Sequence, residues 1–307
     1  MSNIICYDNF TPLTLEDKQL FDDIVNNCDL YDELIASEMM FQSLFCWGAC
    51  ENPQKCVLDE GFVVFYEQEL RDTNMFFVPF VKKREYFVPV MQKIFDFYKA
   101  NNLPVNVKIT GEFIPLLKPV LGEDYQIVPG FGDTEYIYKA GDIVNLPGKK
   151  YSVKRNQVEG FEDRYFYTFE TYDKSMRQQV LDFAKEWGES HEDETAEKEL
   201  DTLVRCLDNL DALDMFCDVL KVEGELVGFS AGFVSHTNVG VCMYEKANTE
   251  YRGCYQALTN MFAKKRFADC KYINRQEDLG IEALKESKMS YHPHMFAKKF
   301  IVSDKKD

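Results

Sequence analysis

The run from Asp218 to Asn274 constrains this chain more than any other stretch. Two apolar-rich segments, Asp218–Val222 and Leu226–Val234, flank Glu223-Gly224-Glu225. Short apolar runs around a glycine turn predict a tight antiparallel hairpin. A third strand is expected over Gly240–Lys246. Arg252-Gly253 then opens a helix over Tyr255–Phe267, with Leu258, Met261 and Phe262 facing inward, and a strand follows at Lys271–Asn274. Strand, helix and strand joined by short links imply a parallel pair with a right-handed crossover. An antiparallel meander passing into one βαβ unit is a mixed α+β arrangement. Its ligand crevice is expected near the carboxyl end of the Gly240–Lys246 strand.

The first half is expected to hold a helix at Leu15–Cys28 behind Thr14, strands near Gly61–Glu67 and Met75–Phe80, and a helix near Val88–Asn101. Strands near Val105–Ile109 and Glu135–Lys139 complete it, with turns at Gly130–Asp133 and Gly141–Asp142. A change of character at Leu146-Pro147-Gly148-Lys149-Lys150 sets the expected boundary, giving domains 1–145 and 146–307. Beyond it, a strand over Arg164–Glu170 and a helix over Lys174–Trp187 lead into an acidic segment, 189–218, that reads as a solvated helical face.

At 307 residues, two domains are the natural division. With 35 basic against 52 acidic residues, the formal net charge is −17, which opposes broad binding of nucleic acid. There is no apolar run of membrane-spanning length, and the N-terminal residues lack a signal peptide's basic and apolar regions. The ten cysteines then read as reduced thiols of a cytoplasmic protein. Neither the wide spacing of Cys46, Cys50 and Cys56 nor the pair His292 and His294 reads as a metal site. Serine hydrolase, P-loop, zincin and dinucleotide-fold motifs are missing.

Four segments carry candidate chemistry. Lys149-Lys150-Tyr151-Ser152-Val153-Lys154-Arg155-Asn156 concentrates basic residues in an acidic chain. If it is helical, Lys150 and Lys154 share a face that suits a phosphate or carboxylate. Arg252-Gly253 precedes a helix whose first N–H groups suit an anion. Asn274-Arg275-Gln276-Glu277-Asp278 follows a buried strand and reads as a site rim. Tyr291, within Lys288-Met289-Ser290-Tyr291-His292-Pro293, is a candidate proton donor. Each also has a plainer structural reading, as a salt-bridged face, a turn, a capped loop or a half-buried strand residue.

Together with Met39-Met40-Phe41-Gln42-Ser43-Leu44-Phe45-Cys46-Trp47, three of these segments resemble a bacterial family related to the C-terminal domain of phosphatidylglycerol lysyltransferase. They are Leu146–Asn156, Ile273–Gly280 and Lys288–Pro293. The resemblance implies two tandem GNAT-type acyltransferase folds, each a mostly antiparallel twisted sheet flanked by helices, with the candidate site in the second. It implies an acyl or aminoacyl donor, either acyl-CoA or aminoacyl-tRNA as in the Fem-type ligases, and an amine or hydroxyl acceptor. The lysyltransferases' phospholipid acceptor is not expected for this acidic chain.

On the GNAT pattern Arg252 and Ala257 fit the pyrophosphate loop, but Tyr255 stands where a glycine is usual. Asn274 fits, whereas Lys285 falls where a tyrosine would protonate a leaving thiolate. These departures lean away from acyl-CoA. The implied roles are donor or anion binding for Lys150, Lys154, Arg155, Asn156, Arg252, Gly253, Asn274 and Arg275. Proton transfer falls to Glu245, Glu277 or Tyr291, with backbone N–H groups near Glu245–Ala247 polarising the carbonyl. The alternative is a non-catalytic protein of this fold that binds a small anion or a protein partner.

Overall fold

The computed structural model describes residues 3–68, 73–190 and 196–305. In chain order the first elements are β1 (Thr11–Pro12), α1 (Lys18–Asn27), α2 (Phe41–Glu51), β2 (Gln54–Val57), β3 (Gly61–Gln68), β4 (Thr73–Phe77), β5 (Phe80–Val81), α3 (Phe87–Ala100), β6 (Asn106–Thr110), α4 (Ile114–Leu117) and β7 (Tyr125–Lys139). Then come α5 (Ala140–Asn145), α6 (Ser152–Glu162), β8 (Tyr167–Thr171), α7 (Arg177–Ser190), α8 (Ala196–Asp208), β9 (Met215–Val222), β10 (Glu225–Val234), β11 (Val239–Ala247), α9 (Cys254–Arg266), β12 (Tyr272–Asn274), α10 (Glu282–Met289) and β13 (Met295–Asp304).

The chain divides into two compact units. Met1–Glu135, Glu277–Gly280 and Ala297–Asp307 form one; Tyr136–Gln276 and Ile281–Phe296 form the other. The division falls at Tyr136, within β7, ten residues before the change of character at Leu146, and the chain's last strand pairs with β6 of the first unit.

The first unit's strands lie in the order β1-β2-β3-β4-β6-β13. They are antiparallel except for β4 and β6, where Phe76 and Phe77 run parallel to Val107 and Lys108 on either side of α3. α3 turns Val90, Met91, Ile94, Phe95 and Tyr98 inward at helical spacing, and all are buried. The Lys299 ammonium on β13 is also buried. It contacts carboxylate oxygens of Glu38 at 2.9 Å, Glu135 at 3.0 Å and Glu277 at 2.9 Å. Lys108 adds a second cation beside Glu38, 2.8 Å away. Burial acts to raise the Glu38 pKa, but the two lysines prevail and hold it at about 2.

The second unit's strands lie in the order β7-β12-β11-β10-β9-β8. The expected hairpin is β9–β10, with Glu223 at φ 52° and Gly224 at φ 89° in the left-handed region that two-residue hairpin turns require. β11 pairs antiparallel with β10 and parallel with β12, and α9 makes the crossover. Both units therefore have the expected mixed α+β form with one βαβ connection each.

Three local expectations are corrected. Gly130–Asp133 lies inside β7 instead of a turn, within a strand that runs from Tyr125 to Lys139. Gly141-Asp142 belongs to α5, a helix that stops where Leu146 turns left-handed at φ 44°. Lys150 sits in a 3-10 turn ahead of α6, so it does not share a helical face with Lys154. The predicted helical face after Glu189 is met by α8, although residues 191–195 of that acidic segment lie outside the described residues.

Candidate functional site

β12 pairs with β11 only over Val239–Val241, so among the described residues the two parallel strands part after three positions. Glu245 lies on β11 beyond that parting. The side chains of successive strand residues point to opposite faces. Lys246 accordingly faces Trp187 and Glu199, its ammonium 3.7 Å from the Trp187 ring centroid and 2.8 Å from the Glu199 carboxylate. Glu245 faces α9, where the Thr259 hydroxyl donates to its Oε1 at 2.9 Å, and it forms a close ion pair with the Arg275 guanidinium.

Arg275 is held there by the way β12 ends. The Asn274 side chain accepts the Gln276 N–H at 2.7 Å, a short-range turn typical of asparagine. The Arg275 N–H then bonds the Tyr136 carbonyl at 3.1 Å, and the Gln276 carbonyl accepts the Tyr136 N–H at 3.1 Å. Lys288 Nζ donates to the Arg275 carbonyl at 2.7 Å. Burial disfavours the Arg275 charge, but Glu245 more than offsets it and keeps the group cationic. Its Nη1 is buried with no hydrogen-bond partner among the described residues, and the guanidinium lies 4.8 Å from the Tyr291 ring centroid.

Tyr291 is buried, and its carbonyl accepts a 2.9 Å hydrogen bond from the Tyr151 hydroxyl. Burial pushes its phenol up to about 12, against the opposing effect of Arg275. The group therefore stays protonated near neutrality and can donate. Lys154, on the first turn of α6, places Nζ 4.3 Å from the centroid of the same ring. Burial, followed by repulsion from Arg275, lowers its pKa to about 8. Among the described residues it has no hydrogen-bond or carboxylate partner. Every other buried or half-buried lysine among the described residues has one.

Of the residues singled out from sequence, Glu245, Arg275, Tyr291 and Lys154 thus converge. Asn274 adjoins them, fully buried, with its carbonyl oxygen engaged in the turn. The others lie elsewhere. Glu277 belongs to the Lys299 cluster of the first unit, where burial raises its pKa. Lys150 is exposed and pairs with Asp142 at 3.3 Å. Arg155 donates to the Leu146 and Gly148 carbonyls and so fastens the chain between α5 and α6. Asn156 and Arg252 are exposed. Gly253, at φ 88°, serves helix packing, since a Cβ there would meet the Gln157 carbonyl oxygen of α6 at 2.4 Å. Lys285 is exposed on α10 and pairs with Glu282 at 3.1 Å.

Sequence reasoning missed Thr259 and Cys242, both against Glu245. The Cys242 thiol, raised well above its ordinary pKa by burial and by Glu245, lies 3.6 Å from Oε2. Thr259 follows Tyr255 by one helical turn, and that spacing was the available signal. The space bordered by Cys242, Glu245, Thr259 and Arg275 is about 10 Å³, room for roughly one water.

The sequence matches the family described as phosphatidylglycerol lysyltransferase, C-terminal, over residues 36–303. The chain belongs to that family. It is a family of aminoacyl and acyl transferases. A conserved protein of unknown function from Bacteroides thetaiotaomicron has TM-score 0.83 and 26% identity, covering 96% of this chain and 99% of that one. L-PGS from Bacillus licheniformis has TM-score 0.62 and 16% identity, covering 85% and 87%. FemX has TM-score 0.61 and 10% identity, covering 95% and 96%. These last two likenesses show the fold, which is also that of a tandem GNAT protein. An uncharacterized protein of Mycoplasmoides gallisepticum is 26% identical over 174 residues, a match spanning 55% of this chain and 56% of that curated relative's length. In this family member, no helix among the described residues is long and apolar enough to cross a membrane.

Proposed function

We propose that this family member transfers an acyl group, carried as an aminoacyl ester, onto an amine acceptor at the cluster of Glu245, Arg275, Tyr291 and Lys154. The observation that carries the reading is the Lys154 amine, desolvated and without a counter-ion beside two fixed donors. An attacking ammonium must lose a proton, and a lysine with a pKa of about 8 is well matched to take it near neutrality. Arg275, oriented by Glu245, supplies positive charge and the Tyr291 hydroxyl a hydrogen bond where the carbonyl oxygen becomes negative. The amine nitrogen bonds to the acyl carbon, the ester C–O bond breaks, and the departing hydroxyl receives the proton.

The start of α9 supports an ester donor over acyl-CoA. A phosphate needs close approach to backbone N–H groups at a helix N-terminus. Here α6 lies against Gly253, and burial raises the pKa of the Tyr255 phenol, which interacts with the Ala247 backbone and Trp187. One observation favours the second reading, a non-catalytic protein that binds a small anion: the space beside Glu245 has room for roughly one water.

The test incubates the protein with total tRNA charged with radiolabelled amino acids and a panel of amines. Label moving from ester to amide is then counted. Transfer above the protein-free control, falling on the order of 10²-fold in Lys154→Met, is the expected result. Label released no faster than in the control across the panel overturns the reading.

A further inference from the structure

We propose that Lys154 is itself a site of covalent acylation, its amine accepting an acyl group from a small activated donor such as an acyl phosphate. The inference shares Lys154 with the transfer reading but stands without it, because it requires neither tRNA nor an acceptor.

Three features set this amine apart. The first is its lack of a partner. A lysine in an ion pair must break that pair before its nitrogen can attack, and among the described residues Lys154 has no such contact to break. The second is its surroundings. Nζ rests 4.3 Å from the Tyr291 ring centroid, a contact that holds the amine in place, and the Arg275 guanidinium lies 4.8 Å from the same centroid, so a like charge stands nearby where a carboxylate would be usual. Glu245, the acid on the adjoining strand, is already bound to Arg275. Burial and the Arg275 charge then favour the neutral, nucleophilic form near pH 8. The third is reach. Lys154 lies on the first turn of α6 and is only half-buried, so a small donor can approach from solvent while the stem remains packed.

The step balances. The neutral amine nitrogen bonds to the acyl carbon, the carbon–oxygen bond to phosphate breaks, and the amine proton leaves with the phosphate. The products are an amide on Lys154 and inorganic phosphate. The modification removes the positive charge beside Tyr291 and any proton-accepting capacity of Lys154, so it would switch off a reaction that depends on that amine.

Acetyl phosphate and the wild-type chain give the test. The protein is treated briefly between pH 6 and pH 11, and acetylation of each lysine is read by mass spectrometry. Lys154 is expected to acetylate about 10-fold faster than Lys285 at pH 7.5, with a rate that levels off just above pH 8. Lys285, exposed and paired with Glu282, is the internal reference. Equal rates at the two lysines, or a Lys154 rate still climbing through pH 10, overturn the proposal. Arg275→Met removes the like charge and leaves Glu245 free to pair, and is expected to bring Lys154 towards the reference rate. An unchanged rate in a folded Arg275→Met protein also counts against the proposal. Because acetylation is read without tRNA, its failure leaves the transfer assay to be judged separately.

Discussion

Lys154 is held in surroundings that oppose its charge, and the fold bears that cost. Its pKa is 10.5 as an ordinary lysine and about 8 in the folded chain. A folded pKa below the unfolded one means that stability falls as pH drops from about 10.5 to about 8, and stays lower beneath that. Lys154→Met removes the penalty while keeping an apolar stem against Tyr291. We expect it to raise Tm by about 2 °C at pH 7, roughly 1 kcal/mol, with the gain vanishing above pH 10 in melts across that range. A variant that loses transfer while gaining stability marks a residue kept for chemistry. The same scale shows what sequence can convey. Glu245, Arg275 and Lys154 were legible because each sits at a strand end, a rim or a basic run, and Tyr291 because it falls in the Lys288–Pro293 segment. The uses of Arg155 and Gly253 were not, since a carbonyl nine residues away and a facing helix decide them.

Among the elements, the pairing of α6 with α9 matters most to the site, because it closes the start of α9. Gly253 is the point of closest approach. Gly253→Ala places a Cβ 2.4 Å from the Gln157 carbonyl oxygen and forces a left-handed backbone on alanine. A loss of about 2–3 kcal/mol in denaturant unfolding is expected. A loss below about 0.5 kcal/mol would show that α6 yields easily, and with it the case for a closed helix start. The hairpin, the crossover and the long helices were legible because apolar periodicity and Glu223-Gly224 agree with the final pairing. β7 and α5 were less so. Their glycines read as turns locally, whereas the strand continues through 130–133 and the buried side chains of Ala140 and Ile143 hold α5 in place.

Over the whole molecule, the sequence anticipated the class of fold and the family, because both rest on segments spread along most of the chain. It did not anticipate that the C-terminal strand pairs in the first unit, nor that Glu277 joins Lys299, Glu38 and Glu135 instead of the Arg275 cluster. A carboxylate two residues from Arg275 looks like a partner in sequence, and only the folded path of the chain separates them. The net charge of −17 sharpens the question of donor, since any polyanion must be met by local groups. The most direct test of the central claim is thermal stability of the wild-type chain with acetyl-CoA, CoA, uncharged tRNA and aminoacyl-tRNA. A ligand that binds only the native state at 100 times its Kd stabilises it by about 2.7 kcal/mol, a shift of several degrees. Aminoacyl-tRNA is expected to raise Tm, and acetyl-CoA to leave it unchanged. A rise with acetyl-CoA that disappears in Arg252→Ala would contradict it and identify the start of α9 as an acyl-CoA site.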